Sequence, residues 1–298
     1  MKKALSILTA GCLAVSLAAC GSTAASSAAS AADSTASSAA ESTAASDTAA
    51  ADGQTYKVGI CQLVQHVALD AATQGFKDAL TEQLGDAVTF EEKNAQGDSN
   101  TCSTIINGFV SDNVDLILAN ATPALQAAQA GTNTIPVLGT SVTEYGVALG
   151  IDDFDGLVGT NISGTSDLAP LDEQAGIIKE LFPDAKTVGL LYCSAEPNSQ
   201  YQVDTVKASL EELGYTCEYY AFSDSNDLAT VCQSAADASD VIYVPTDNTV
   251  ANNTEIVNNI CQPAGVPVVA GEEGIMGGCG VATLSISCLL YTSDAADE

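Results

Sequence analysis

Most side chains in this sequence that could do chemistry stand just after short apolar runs. Gln65 and His66 follow Tyr56–Leu63. Thr122 follows Asp115–Ala119, and Ser141 and Thr143 follow Ile135–Gly139. Glu196, Asn198 and Ser199 follow a run that ends at Cys193. Thr246, Asp247 and Asn248 follow Asp240–Tyr243, and Glu272 and Glu273 follow Val266–Val268. Ser166 and Asp167 sit in a Gly/Asp/Ser/Thr-rich stretch at 140–170. These are hydroxyls, amides and carboxylates, the groups of a recognition site. Asp247 can take an ammonium in a charge-assisted hydrogen bond, with Glu272 and Glu273 as second choices. Thr122 and nearby N–H groups can take a carboxylate. The chain has no arginine, so the bidentate carboxylate clamp is absent. A small zwitterion such as an α-amino acid is complementary to this set. Each residue also has a plainer use. Thr122, the 196–199 segment, Ser141, Thr143 and Asp247 can cap helices, Ser166 and Asp167 can shape a hinge, and His66 can be structural.

Catalysis is poorly served. The single histidine, His66, has no evident triad partner. There is no G-x-S-x-G elbow, no P-loop, and no G-x-G-x-x-G opening a helix after a strand. The glycine-rich 274–280 segment lacks a following helix and lysine. No CxxC or Cys/His cluster suggests a metal. The chain is read as a non-enzyme with no cofactor and no metal site.

The elements that must position these residues follow a regular order. Tyr56–Leu63, Val88–Glu91, Asp115–Ala119 and Ile135–Gly139 read as strands. Val67–Leu84 has helical spacing, with Leu69, Ala72, Phe76, Ala79 and Leu80 on one face. Thr101–Val110, after the capping-competent Asp98-Ser99-Asn100, and Pro123–Ala130 read as helices. Val147–Ile151 reads as strand-like. Strands alternating with helices predict parallel sheets covered on both faces.

The order then recurs. Lys57-Val58-Gly59 matches Thr187-Val188-Gly189, and Leu84-Gly85 matches Leu213-Gly214. Asp98-Ser99-Asn100 matches Asp224-Ser225-Asn226. Asp115-Leu116-Ile117-Leu118 matches Asp240-Val241-Ile242-Tyr243, and Ile135-Pro136-Val137 matches Val266-Pro267-Val268. This predicts two similar α/β lobes, 55–165 and 166–287, with ligand held between the carboxyl ends of their strands. The duplication also pairs Thr122 with Asp247.

Several of these segments, taken together and in order, resemble ABC-importer solute-binding lipoproteins, specifically the family with tryptophan- and other aromatic-amino-acid-binding members. The segments are Gln65-His66-Val67-Ala68-Leu69-Asp70, Ala121-Thr122-Pro123-Ala124, Gly164-Thr165-Ser166-Asp167, Leu191 through Ser199, Pro245-Thr246-Asp247-Asn248-Thr249-Val250 and Gly271-Glu272-Glu273-Gly274. The resemblance covers residues 56 to about 287. It implies a type I periplasmic-binding fold, hinge closure on a small amino acid, an aromatic one favoured, and delivery to a membrane permease. A ligand-sensing lipoprotein docking on a signalling receptor is the alternative. Val67 departs from the proline expected after the histidine. The 288–298 tail departs from the expected continuation and reads as non-native.

Composition fits an exported body. The chain has 298 residues, 38 acids, 8 lysines and a formal charge of −30. Nowhere do three basic residues stand together, so nucleic acid is not expected as a partner. Lys2 and Lys3 precede an apolar stretch that ends in Leu17-Ala18-Ala19-Cys20. Residues 1–19 read as a signal peptide, and the lipobox resemblance implies a lipid on Cys20. Residues 20–54 read as a Ser/Ala/Thr-rich tether. The expectation is an extracytoplasmic monomer held to the membrane only by its lipid. Ten cysteines are present, and those in apolar runs read as buried thiols.

Overall fold

The structure is a computed structural model that describes residues 54–286. The expected signal peptide, Cys20, the tether to residue 53 and the tail from 287 lie outside the described residues.

The first lobe runs β1(Tyr56–Gln62), α1(Val67–Leu84), β2(Val88–Asn94), α2(Ser99–Ser111), β3(Leu116–Asn120), α3(Thr122–Gly131), β4(Val137–Val142), α4(Tyr145–Leu149) and β5(Ile162–Ser166). The second runs α5(Leu171–Leu181), β6(Thr187–Cys193), α6(Pro197–Glu212), β7(Thr216–Phe222), α7(Ser225–Ala238), β8(Val241–Val244), α8(Asn248–Ala251), α9(Thr254–Ala264), β9(Val268–Ala270), α10(Glu273–Cys279) and β10(Ala282–Thr283). The sheets have the orders β2-β1-β3-β4-β5 and β7-β6-β8-β9-β10, which are one topology twice. Registers agree as well: Val58 lies opposite Leu116, and Val188 opposite Val241. All pairings are parallel. The inner strands β1, β3, β6 and β8 are buried along most of their length, as expected of strands covered on both faces, while β2, β5 and β7 at the sheet edges are largely exposed.

The repeated residues do repeated work. Asp115 Oδ2 accepts from the Lys57 N–H at 2.7 Å, and Asp240 Oδ2 accepts from the Lys186 and Thr187 N–H groups at 2.8 and 2.9 Å. Each acid ties the start of its lobe's third strand to the first. Gly59 must lack a side chain, because a Cβ there would stand 2.6 Å from the fully buried Phe109 ring. Burying such a ring is worth about 2–3 kcal/mol, so α2 packs directly on the β1 backbone. Asp98 caps α2 through the Thr101 N–H at 2.6 Å, and Asp224 caps α7 through the Asn226 N–H at 2.8 Å.

Three sequence expectations change. The 147–151 segment is not strand-like: Tyr145–Leu149 is a helix. Glu144 accepts from the Gly146 and Val147 N–H groups at its start, and Gly150 ends it at φ 66°. Tyr145, Ala148 and Leu149 then share the buried face. On α1, Leu69 is buried but Ala79 is exposed. The first sheet also continues through Ser166, one residue past the expected lobe end.

Candidate functional site

Every predicted site residue lies at or just past the carboxyl end of a strand, and the rims of the two lobes meet. A methyl on Gly274, at the start of α10, would stand 2.7 Å from His66 Nε2, which follows β1. Tyr201 of α6 lines one depression with Glu144, Gly146, Val147 and Phe154 from the first lobe. Another depression, of about 740 Å³, lies elsewhere, at the amino ends of the second sheet beside Phe182, Asp240, Gln262 and Val266.

The second rim uses its own polar groups. Glu196 is buried, and its carboxylate takes five hydrogen bonds, one of them from Asn198 Nδ2 to Oε2 at 3.4 Å. Oε2 accepts from Asn248 N and Nδ2 at 2.9 and 2.8 Å, and Oε1 from Thr249 N and Oγ1 at 2.9 and 2.7 Å. Asp247, 1% exposed, accepts from the Val250 N–H at 2.9 Å through Oδ1 and from the Cys193 N–H at 2.7 Å through Oδ2. Burial pushes its carboxyl up to about 8, and the Glu196 charge adds to this against the opposing hydrogen bonds. Asp247 therefore caps α8 and faces into its own lobe. Asn198 Nδ2 donates to the Thr246 carbonyl at 3.1 Å, beside buried Ser199. Asn248 and Thr246 are consumed in the same network. Glu272 caps α10 through the Gly274 and Ile275 N–H groups, and Glu273 is exposed.

The first rim is less consumed. Thr122 is 2% exposed and is the first residue of α3, whose start no side chain caps. The preceding Ala121 is held at φ 88°, and Ser141, in the irregular end of β4, at φ 55°. Non-glycine residues rarely adopt such angles, and they concentrate at functional rims. Gln65 is exposed and His66 half-buried. Ser166 Oγ donates to the Thr143 carbonyl at 2.7 Å. Thr143 also hydrogen-bonds the Asp167 carboxylate, which counters the dominant effect of burial. Burial pushes Asp167 up to about 6, helped by the Glu272 charge in the facing lobe. Asp167 Oδ1 is sealed from solvent and has no hydrogen-bond partner. An orphaned buried acceptor of this kind costs stability unless something donates to it.

Sequence reasoning missed the glutamines and asparagines that brace both rims. Gln62 Nε2 donates to Asp70 Oδ1 at 2.6 Å and its Oε1 accepts from Thr73 at 2.7 Å, while Asn120 Nδ2 donates to Thr73 Oγ1 at 2.9 Å. Gln202 Oε1 accepts from Thr246 N at 3.0 Å, and Gln174 Oε1 accepts from the Tyr243 hydroxyl at 2.6 Å. The available signal was amides at positions that the helix and strand periods assign to the core.

A rim of convergent hydroxyls, amides and carboxylates on two like lobes is binding geometry. The sequence pattern described as "ABC transporter substrate binding protein" matches residues 57–289. This chain belongs to that family. Its members are extracytoplasmic solute-binding proteins, not enzymes. A tyrosine-binding protein of Clostridioides difficile is 37% identical over 220 residues, 73% of this chain and 64% of that protein, so the chain spans just under two thirds of that relative's length. A Streptococcus pneumoniae domain solved in complex with L-Trp superposes with a TM-score of 0.75 at 30% identity, over 82% of this chain and 86% of that one. The ligand-free, open structure of a Clostridium difficile substrate-binding protein with adhesive properties gives 0.54 at 39% identity, over 76% and 77%. Among the described residues no helix is long and apolar enough to cross a membrane.

Proposed function

We propose that this protein is the solute-binding component of an ABC importer, and that it captures an aromatic amino acid between its lobes by hinge closure. The observation that carries this reading is the buried, unpartnered Oδ1 of Asp167, facing Glu272 of the other lobe across the rim. The ligand ammonium donates to Asp167. Its carboxylate sits at the uncapped start of α3, on the Thr122 hydroxyl and free N–H groups. His66, Gln65, Ser141, Thr143 and Glu272 surround it. Asp247, Glu196, Asn198, Ser199, Thr246 and Asn248 support the second rim from behind, and Ser166 shapes the hinge.

Two further facts favour this reading. The relatives bind tyrosine and tryptophan. The fold also lies nearer the tryptophan-bound structure than the open one, despite lower identity to the bound protein, as expected of lobes brought together. The lipobox-like Leu17-Ala18-Ala19-Cys20 supports anchoring of a monomeric protein through a lipid on Cys20, beside its permease.

Calorimetric titration with L-tyrosine and L-tryptophan tests the reading. Asp167→Asn keeps shape but removes charge. It is expected to weaken binding roughly 30-fold or more, as for truncating one partner of a buried charge pair. Asp247→Asn is expected to change it less than about threefold, because Asn also caps helices. Failure of either amino acid to bind wild type, or an unchanged affinity in Asp167→Asn, overturns the reading.

A further inference from the structure

Three cysteines of the second lobe meet in its core. Cys232 of α7 and Cys261 of α9 are 0% and 2% exposed, and their Sγ atoms are 3.7 Å apart. Cys279 of α10 packs on the same cluster and turns its thiol to the Ile275 carbonyl at 3.4 Å, within its own helix. All three are free thiols in this structure. Sulfurs in van der Waals contact on adjacent helices need to approach by only about 2 Å to bond at the usual S–S length. The two thiols are also unequal. The contact between the two sulfurs pushes the Cys232 thiol up and holds the Cys261 thiol down. Cys261 is thus the readier nucleophile.

We propose that Cys232 and Cys261 form a structural disulfide in the exported protein, made by exchange with an external disulfide as the chain folds, before α7 and α9 bury both sulfurs. The inference rests on the extracytoplasmic setting of the family, where such bonds persist, and not on the ligand. The Cys261 thiolate attacks one sulfur of the external disulfide RSSR′ and expels R′S⁻. The Cys232 thiolate then attacks Cys261 Sγ and expels RS⁻. The two protein thiols lose two electrons and two protons. The external disulfide gains them as RSH and R′SH.

The placement gives the bond a purpose. The two cysteines are 29 residues apart, and the chain between them contains β8, the capped α8 and Asp247. The link closes a loop around the second rim and ties α7 to α9 behind it, so that local opening of the rim is restrained. Burial of both sulfurs slows reduction in the folded protein, so the dithiothreitol sample is reduced in denaturant and refolded before its Tm is read.

Full-length protein exported from a bacterial host, purified without reductant and alkylated in denaturant, tests this by peptide mass mapping. A peptide pair joined through Cys232 and Cys261 is expected. Dithiothreitol is expected to lower the Tm of wild type by roughly 5 °C or more, with no such effect on a Cys232→Ser/Cys261→Ser variant. The wild-type reduction stands even where the variant fails to fold. Alkylation of both residues after incubation with oxidised glutathione, a Cys261–Cys279 link instead, or a Tm indifferent to reduction overturns the proposal.

Discussion

The two rims are built on one topology and register, yet they spend their polar groups differently. At the duplicated position after the third strand, the second lobe carries Asp247 and the first Thr122. In the second lobe Asp247 and Glu196 fill the start of the short helix α8, accepting from the N–H groups of Asn248, Thr249 and Val250. In the first lobe no carboxylate caps α3. The protein has supplied internal carboxyl groups to one helix start and none to its counterpart. The same scaffold therefore yields one rim whose polar groups are satisfied within the lobe and one whose helix start is not. A duplicated fold does not imply a duplicated site.

The largest effect should come from removing the internal carboxyl cap. Asp247→Ala leaves the Cys193 and Val250 N–H groups without acceptors, at about 2–4 kcal/mol of stability. Thr122→Ala should cost within about 1 kcal/mol of stability but weaken amino-acid binding roughly tenfold. Urea unfolding paired with titration reads both. Equal stability losses at the two positions would erase the contrast.

Gly274→Ala places a methyl 2.7 Å from His66 Nε2 and should weaken binding at least about fivefold by holding the lobes apart. A methyl on Gly277, in the same helix, would meet nothing within 4 Å. Gly277→Ala should leave affinity unchanged and add up to about 1 kcal/mol of helix stability. Equal affinities for the two variants would show that the rims do not close at His66.

The buried Asp247 and the half-buried Asp167 also set a pH dependence. Burial pushes Asp247 up to about 8 and Asp167 up to about 6, above the ordinary carboxylate value of about 4. The folded protein therefore keeps protons that the unfolded chain has released. The stability they contribute is complete below about pH 4 and is lost as pH rises through 6 and then 8. The Tm of ligand-free protein should fall between pH 5 and pH 8.5, and Asp247→Asn should flatten the upper part. A Tm that rises over this window would contradict the assignment. The lowered carboxyls Glu91, Asp98 and Asp240 act only below this range.

The smallest effect should be the same in both lobes. Asp98→Ala and Asp224→Ala each remove one cap, at about 1 kcal/mol and without change in affinity. A loss of binding in either, measured by the same titration, would mean that these caps reach the rim.

Much of this was legible in the residues. Strands such as Tyr56–Gln62 are continuous apolar runs, and α1 spans the Val67–Leu84 that its spacing predicts, because burial on both sheet faces and on one helix face imposes those periods. The paired landmarks Asp115/Asp240 and Asp98/Asp224 announce the duplication because each makes a local contact that either lobe needs. The 147–151 segment was not legible as a helix, since its start depends on the single carboxylate of Glu144.

What the sequence by itself determined is the set of strand-end residues, since a parallel sheet places every such loop on one edge. Which of them are free is a tertiary matter. Asp247 and Asp167 are both aspartates just past strand ends and look alike in sequence. Asp247 meets the Cys193 N–H, 54 residues away, and turns inward. Asp167 is left with a buried oxygen and no donor. A hydrogen bond across such a separation exists only once the strands have paired, so which of the two carboxyls is satisfied and which keeps an unpartnered oxygen is decided by packing.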